Sequence, residues 1–377
     1  MRHKKILFYL LATILSVLTV YCFVVVFFFL NLEKFFSVHK FKDLDSLNFY
    51  KSRSKIMNHL RNPSKEISVD GKIVKSPYKN DNEFIFNQIT KGSKKTILFQ
   101  GDSWVEIINY YPEAKSFLEK NFKDFSLFNA GTTSYSPSLM KVQLDYLVNI
   151  IKMKPNYLVL YIDQTDLGDE NCRYKHLKKY NSNHDLISVP YEEYPISGKI
   201  LNMDKMIKLN EILLKYSNNL SISIAYTNYR TVKMLVRIKK MFLIKLFNYP
   251  YIKACHFNKI IKSLKEPNDK EILFFENSLR EYFDSIKKVE SIKKVVVVTH
   301  PHKNHFINQS LKLNVSDVVN NLIKEYPEFE YLNFSSYVEN YKIFENNFEN
   351  IWLKDEVHLN EKAYTNYFLP NIIKFFK

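Results

Sequence analysis

The chain reads as an α/β protein, a doubly wound, five-stranded parallel sheet in three α/β/α layers, preceded by one N-terminal transmembrane helix. Three observations predict this. From residue 94 onward short apolar runs alternate with longer segments of helical period, the rhythm of βαβ units. The run Tyr157 to Ile162 is apolar almost throughout rather than at every second residue, as a strand buried on both faces is. Ahead of these segments, residues 6–30 form an uncharged stretch.

Composition narrows the function classes. At 377 residues, 46% hydrophobic and 15% aromatic, the chain can bury a large core and is not a generally disordered protein. Three cysteines are too few for a disulfide-dense scaffold. Cys22 lies in the apolar N-terminal run, leaving Cys172 and Cys255 able to pair if the domain lies outside the cytoplasm. The net charge of +16 is uneven, since residues 199–270 carry fifteen Lys/Arg against four Asp/Glu. That region suits contact with anionic lipid or a glycan, or is simply a solvated face. No nucleic-acid partner is expected.

Taken in order, residues 1–5 form a short cytoplasmic tail and residues 6–30 an uncleaved anchor, longer than the roughly 20 residues that span a bilayer. Arg2, Lys4 and Lys5 crowd one flank, whereas Lys34, Lys40 and Lys42 are spread along the other. The positive-inside rule therefore places the large domain on the outer face. Residues 31–93 read as a juxtamembrane segment, with a β-hairpin over Ile67 to Val74 around Asp70-Gly71 and no evident chemistry.

The catalytic domain is expected over residues 94–377. A first strand ends at Gln100 and a second spans Phe125 to Asn129. Ser136-Pro137 then supplies an N-cap and a first-turn proline for a helix. A third strand runs from Tyr157 to Ile162, a fourth from Val295 to Thr299 and a fifth from Phe329 to Phe334, which gives a flavodoxin-like sheet. Between strands three and four lies a largely helical insertion, about residues 171–270. Within it Arg230, Lys233, Arg237 and Lys240 recur at helical spacing, a basic amphipathic pattern that fits a lid, a foot on anionic lipid, or a packed surface helix.

The chemistry centres on Gly101-Asp102-Ser103-Trp104, where the first strand turns into a helix. A serine there projects into the crevice at the carboxyl edge of the sheet. Near the C-terminus stands Asp355-Glu356-Val357-His358, ahead of a helix capped by Asn360. An Asp three residues before a His can orient that imidazole, whose other nitrogen then takes a proton from a serine hydroxyl. His300-Pro301-His302-Lys303-Asn304-His305 superficially suits a metal, but no carboxylate or cysteine accompanies it, so neither metal nor other cofactor is expected. His300 and His302 are instead expected to line the substrate pocket.

These blocks, in this order, resemble those of the SGNH (GDSL-type) hydrolase family. Gly101-Asp102-Ser103 matches its first block, Asn129-Ala130-Gly131 its second, and Asp355 to His358 its fourth. The third block departs, with Asp163-Gln164-Thr165-Asp166 standing where Gly-x-Asn-Asp is usual. The resemblance implies Ser103 as nucleophile, His358 as general base and Asp355 as its orienting acid. It further implies an oxyanion hole from Ser103, Gly131 and either Thr165 or Gln164, in a pocket bordered by Asp102, Trp104, Asn129 and Asp166. The implied activity is a membrane-anchored serine esterase acting on O-acyl, chiefly O-acetyl, groups of an envelope or extracellular glycan. Three alternatives stay open: an O-acyltransferase to a glycan acceptor, a lipid esterase, and a catalytically inactive membrane-bound glycan-binding or partner protein.

Overall fold

The computed structural model describes residues 2–30, 44–61, 66–69, 72–75, 84–92, 95–190, 266–307, 312–335 and 348–376. Residues 2–30 form one helix, Arg2–Leu30. Among the described residues it is the one helix long and apolar enough to cross a membrane. The basic pattern at Arg230 to Lys240 and the lysines at 34, 40 and 42 lie outside the described residues.

A second compact unit begins at Asn48. Its strands are β1 (Glu66–Val69), β2 (Lys72–Lys75), β3 (Asn87–Thr90), β4 (Lys95–Gln100), β5 (Phe125–Asn129), β6 (Tyr157–Ile162), β7 (Lys179–Tyr180), β8 (Leu186–Ser188), β9 (Lys294–Thr299) and β10 (Phe329–Asn333). Strands β1 and β2 pair antiparallel with Val69 opposite Lys72, the expected hairpin. The central sheet has six strands rather than five, in the order β10-β9-β6-β4-β5-β3. Its five parallel members are the expected ones. The sixth, β3, runs antiparallel on the edge of β5 and comes from the stretch expected to be juxtamembrane. Its Asn-Gln-Ile-Thr carries a single large apolar residue, so nothing in its pattern marks it as a strand.

Side-chain alternation along the strands builds two cores. Ile97, Phe99, Val159, Tyr161, Val296 and Val298 face one cluster, shared with Trp104, Tyr111, Leu118 and the C-terminal helical residues Tyr364, Phe368 and Ile372. On the opposite face, buried Gln100 donates to the Met140 carbonyl at 3.1 Å and to Gln143 at 2.7 Å, and accepts from the Tyr282 hydroxyl at 2.7 Å. Those partners sit on helices Pro137–Asn149 and Asp269–Lys287. Helices thus cover both faces.

Helix Pro137–Asn149 starts where Ser136-Pro137 predicts, but the serine hydroxyl does not cap it. It donates instead to Glu170, 2.7 Å away, and the same carboxylate accepts the Ser138 N–H at 2.7 Å. Glu170 is itself paired with buried Lys178 at 3.0 Å. Cys172 is disulfide-bonded, and Cys255 lies outside the described residues.

Register decides what meets at the carboxyl edge. Phe99 pairs with Asn129, Gln100 with Leu160, Ile162 with Thr299, and Thr299 with Asn333. The next residues on each strand, Gly101, Ala130, Asp163 and His300, therefore emerge side by side, at the edge where open α/β sheets bind ligands.

Candidate active site

Asp102 opens the short helix Ser103–Glu106, its Oδ1 accepting the Trp104 N–H at 3.0 Å. This fixes Ser103 at the first helical position, where its own N–H has no intrahelical acceptor. Ser103 Oγ lies 2.8 Å from Nε2 of His358 and 3.1 Å from Oδ2 of Asp102. Nδ1 of His358 is 2.6 Å from Oδ2 of Asp355.

The His358 loop is built by its own aspartate. Oδ1 of Asp355 accepts the N–H groups of Val357 and His358, each at 3.0 Å. Glu356 takes a left-handed φ of 60°, which makes the tight turn that brings His358 back over Asp355. Asn360 then caps the following helix, accepting the Ala363 N–H at 2.9 Å. Two tyrosines join this loop to the serine segment: Tyr111 donates to the Leu359 carbonyl and Tyr364 to the Trp104 carbonyl, both at 2.8 Å.

Electrostatics suit a base. Burial alone would lower the affinity of His358 for a proton. The hydrogen bond and charge of Asp355, with the more distant Asp102 and Asp163, outweigh it and hold the imidazole above its ordinary 6.5. Burial likewise opposes ionisation of Asp355, but its bonds to His358 and to two backbone N–H groups bring its carboxyl down to about 2. Asp102 is pushed the other way, well above the carboxylate range, by burial and by the charge of Asp163.

The expected oxyanion donors are placed differently. Gly131 has no room for a side chain, since a Cβ would lie 2.5 Å from the Glu106 nitrogen and from the Val105 Cβ. Its glycine is required by this close approach, yet its N–H is occupied, donating to Oδ1 of Asn129 at 2.9 Å. Along the same loop the N–H groups of Ala130, Thr132 and Tyr135 bind the Phe99, Gly101 and Thr132 carbonyls, and that of Thr133 binds Glu106 at 2.6 Å. The Ser134 N–H alone among residues 130–135 has no acceptor in the described residues. Ser134 sits at a left-handed φ of 64°, held by its carbonyl's bond from the Tyr174 hydroxyl at 2.6 Å.

Neither third-block candidate is directed at Ser103. The Thr165 N–H and hydroxyl both donate to Oδ2 of Asp163. Gln164, fully buried, donates to the Ser316 hydroxyl at 2.8 Å. Asp163 is the hub of this loop, its Oδ1 lying 2.7 Å from Nε2 of His302. Those contacts hold its carboxyl below the ordinary range despite burial. Asp166 is pushed above it by burial and by Asp102 and Asp163.

Four residues expected to border the pocket, Asn129, Asp166, His300 and His302, are 1% exposed or less, and Trp104 is fully buried. The Trp104 ring stacks on Tyr161 at 5.2 Å and lies 4.5 Å from the ring of His300, whose imidazole burial brings down to about 3. Among the described residues no group of three or more His, Cys, Asp or Glu is arranged to hold a metal ion.

The sequence reading missed Arg61. It is 2% exposed and donates from Nε to the Gly131 carbonyl at 2.9 Å and from Nη2 to the Asn129 carbonyl at 3.0 Å. Its targets are backbone oxygens 70 and 68 residues away, which no local pattern announces.

Neither a family model nor a curated protein matches the chain. Among solved structures it is similar to a catalytic mutant of Axe2, an acetylxylan esterase from Geobacillus stearothermophilus, at 10% identity over 75% of this chain and 95% of that one, with a TM-score of 0.38. It is also similar to LAE5, an alpha/beta hydrolase enzyme from the metagenome of Lake Arreo, Spain, at 10% identity over 74% and 95% of the two chains and a TM-score of 0.37. Likeness at this level assigns neither activity nor substrate.

Proposed function

We propose that the chain is a membrane-anchored serine esterase that removes O-acyl groups, chiefly O-acetyl, from an envelope or extracellular glycan. The observation that carries the chemistry is the continuous array Ser103, His358, Asp355 at the carboxyl edge of the sheet, with contacts of 2.8 and 2.6 Å. Ser103 Oγ attacks the acyl carbonyl while its proton passes to Nε2 of His358. Asp355 remains ionised and holds the imidazolium. Collapse of the tetrahedral intermediate breaks the ester C–O bond, and His358 returns the proton to the departing sugar oxygen. Water, deprotonated by the same imidazole, then releases the acid and restores Ser103.

The Ser103 N–H, at the first position of its short helix, is available to the developing oxyanion. Asp102 lies beside the nucleophile, accepting the Trp104 N–H with Oδ1 and the Ser103 hydroxyl with Oδ2 at 3.1 Å. The glycan and outer-face parts of the reading are supported by the sequence resemblance, by the apolar N-terminal helix, and by the disulfide at Cys172, which suits an oxidising compartment.

The test is hydrolysis of a chromogenic acetyl ester by the detergent-solubilised chain, together with Ser103-specific labelling by a fluorophosphonate. Activity and labelling in the wild type, both abolished in Ser103→Ala, are expected. Unchanged hydrolysis in Ser103→Ala would remove the mechanism. Acetyl transfer to an added oligosaccharide, in excess over acetate release, would make the protein a transferase using the same array.

A further inference from the structure

We propose that Arg61 is a positioning residue for the nucleophile, acting on Ser103 through the backbone of the loop after β5. The inference rests on the serine-esterase reading above and adds a residue from outside the blocks that suggested it.

Arg61 belongs to a segment laid firmly into the catalytic unit. Met57, Asn58 and Leu60 are buried with it. Met57 bridges Val189, the Val189 N–H binds the Ile56 carbonyl at 2.8 Å, and the Arg61 N–H reaches the Phe84 carbonyl at 3.3 Å. The guanidinium fork enters the turn after β5. Nε and Nη2 both donate to the Gly131 carbonyl, and Nη2 also reaches the Asn129 carbonyl and, at 3.4 Å, Oδ1 of the same asparagine.

Each carbonyl that Arg61 holds shares a peptide plane with the N–H of the following residue. The Asn129 carbonyl is coupled to the Ala130 N–H, which binds the Phe99 carbonyl at 2.8 Å. The Gly131 carbonyl is coupled to the Thr132 N–H, which binds the Gly101 carbonyl at 3.0 Å. The cation therefore caps the acceptor ends of two peptide dipoles whose donor ends pin the chain just before Ser103. A charged donor on a carbonyl polarises its peptide and strengthens the bond at the other end. One fork therefore sets how the loop after β5 is seated against the strand end that carries Ser103.

Only arginine suits the position. Lysine lacks the planar fork that serves two carbonyls from one side. The guanidinium is buried behind the loop, so its effect is on geometry rather than on substrate binding.

The test uses the full chain in detergent, with Arg61→Ala, Arg61→Lys and Ser103→Ala compared by chromogenic acetyl-ester kinetics, fluorophosphonate labelling rate and thermal midpoint. Misplacing a reacting group by about 1 Å can cost about 100-fold. Arg61→Ala is therefore expected to lower kcat and labelling rate by about 10- to 100-fold while KM stays nearly constant. Millimolar methylguanidinium should restore part of both rates in Arg61→Ala and none in Ser103→Ala. Arg61→Lys should fold yet stay slow. The proposal is overturned if the folded fraction of Arg61→Ala labels at the wild-type rate, or if its loss is not rescued. If Arg61→Ala fails to fold, wild-type kcat in Arg61→Lys overturns it equally. Absence of labelling in the wild type would instead remove the esterase reading, and this role of Arg61 with it.

Discussion

Asp163 and His302 face each other across 2.7 Å with 1% of each side chain exposed. A buried carboxylate beside an imidazole is stable only while both keep their partners, and removing one leaves the other desolvated. His302→Ala is therefore expected to destabilise the fold by about 3 to 5 kcal/mol, read as a lowered midpoint in chemical denaturation. The sign with pH follows from Asp163, whose carboxyl in the folded protein lies below its ordinary 3.8. Its stabilisation is present above that value and is lost as pH falls through the folded one. The deficit of the variant should accordingly be largest near neutrality and shrink in acid. A deficit independent of pH would contradict the pairing.

The raised proton affinity of His358 governs the pH profile. The imidazole acts as a base only when neutral, so kcat/KM should rise through a midpoint above the ordinary 6.5 and fall as His358 protonates below it. Asp355→Asn removes the largest influence raising that midpoint. The acid limb should move to lower pH, while kcat falls by about 10⁴-fold if the orienting role matches that of other triads. Stopped or discontinuous assays across the range, with the wild type as reference, decide it.

Asp102 tests the local field around the nucleophile. An amide oxygen can still accept the Trp104 N–H that Asp102 caps, so Asp102→Asn should retain kcat within roughly tenfold, or ~1.4 kcal/mol of barrier. Were Asp102 needed as an anion, the same variant would be as impaired as Ser103→Ala. Steady-state kinetics of the two side by side separate these outcomes.

Thr165 offers the sharpest contrast with the family pattern. Its hydroxyl is committed to Asp163, so Thr165→Val should leave kcat almost unchanged and cost about 1 kcal/mol of stability from the lost hydrogen bond. A loss of about 10² to 10³ in kcat, the usual effect of deleting an oxyanion donor, would show that the side chain turns toward the substrate during reaction.

Most of the sheet was legible because its central strands, Tyr157–Ile162 and Lys294–Thr299, are apolar runs buried on both faces, and Tyr157–Ile162 and Phe125–Asn129 have the boundaries their composition suggests. The Ser103, Asp355 and His358 blocks were legible because turn and loop chemistry ties each to its neighbours. What escaped depends on contacts between distant residues. The direction of Gln164 is set by Ser316, 152 residues away. Gly131 stands out in a glycine-poor chain, but the reason for it is the backbone of Val105 and Glu106, not access to its N–H. His300 looked like a pocket residue because it follows a strand at the carboxyl edge of the sheet, whereas its ring is sealed among Trp104, Phe334 and Phe368.

The pairing of β3 with β5 also dictates where a version of this protein lacking the N-terminal helix can begin. A chain starting at residue 94 would leave one side of β5 as a bare edge, open to pairing with other molecules, and would lose the buried Phe84 and Ile85 along with the strand. Starting at Asn48 keeps that edge covered. The segment Asn87–Thr90, ahead of the first parallel strand, is thus not a spacer to be trimmed but the selvage of the sheet.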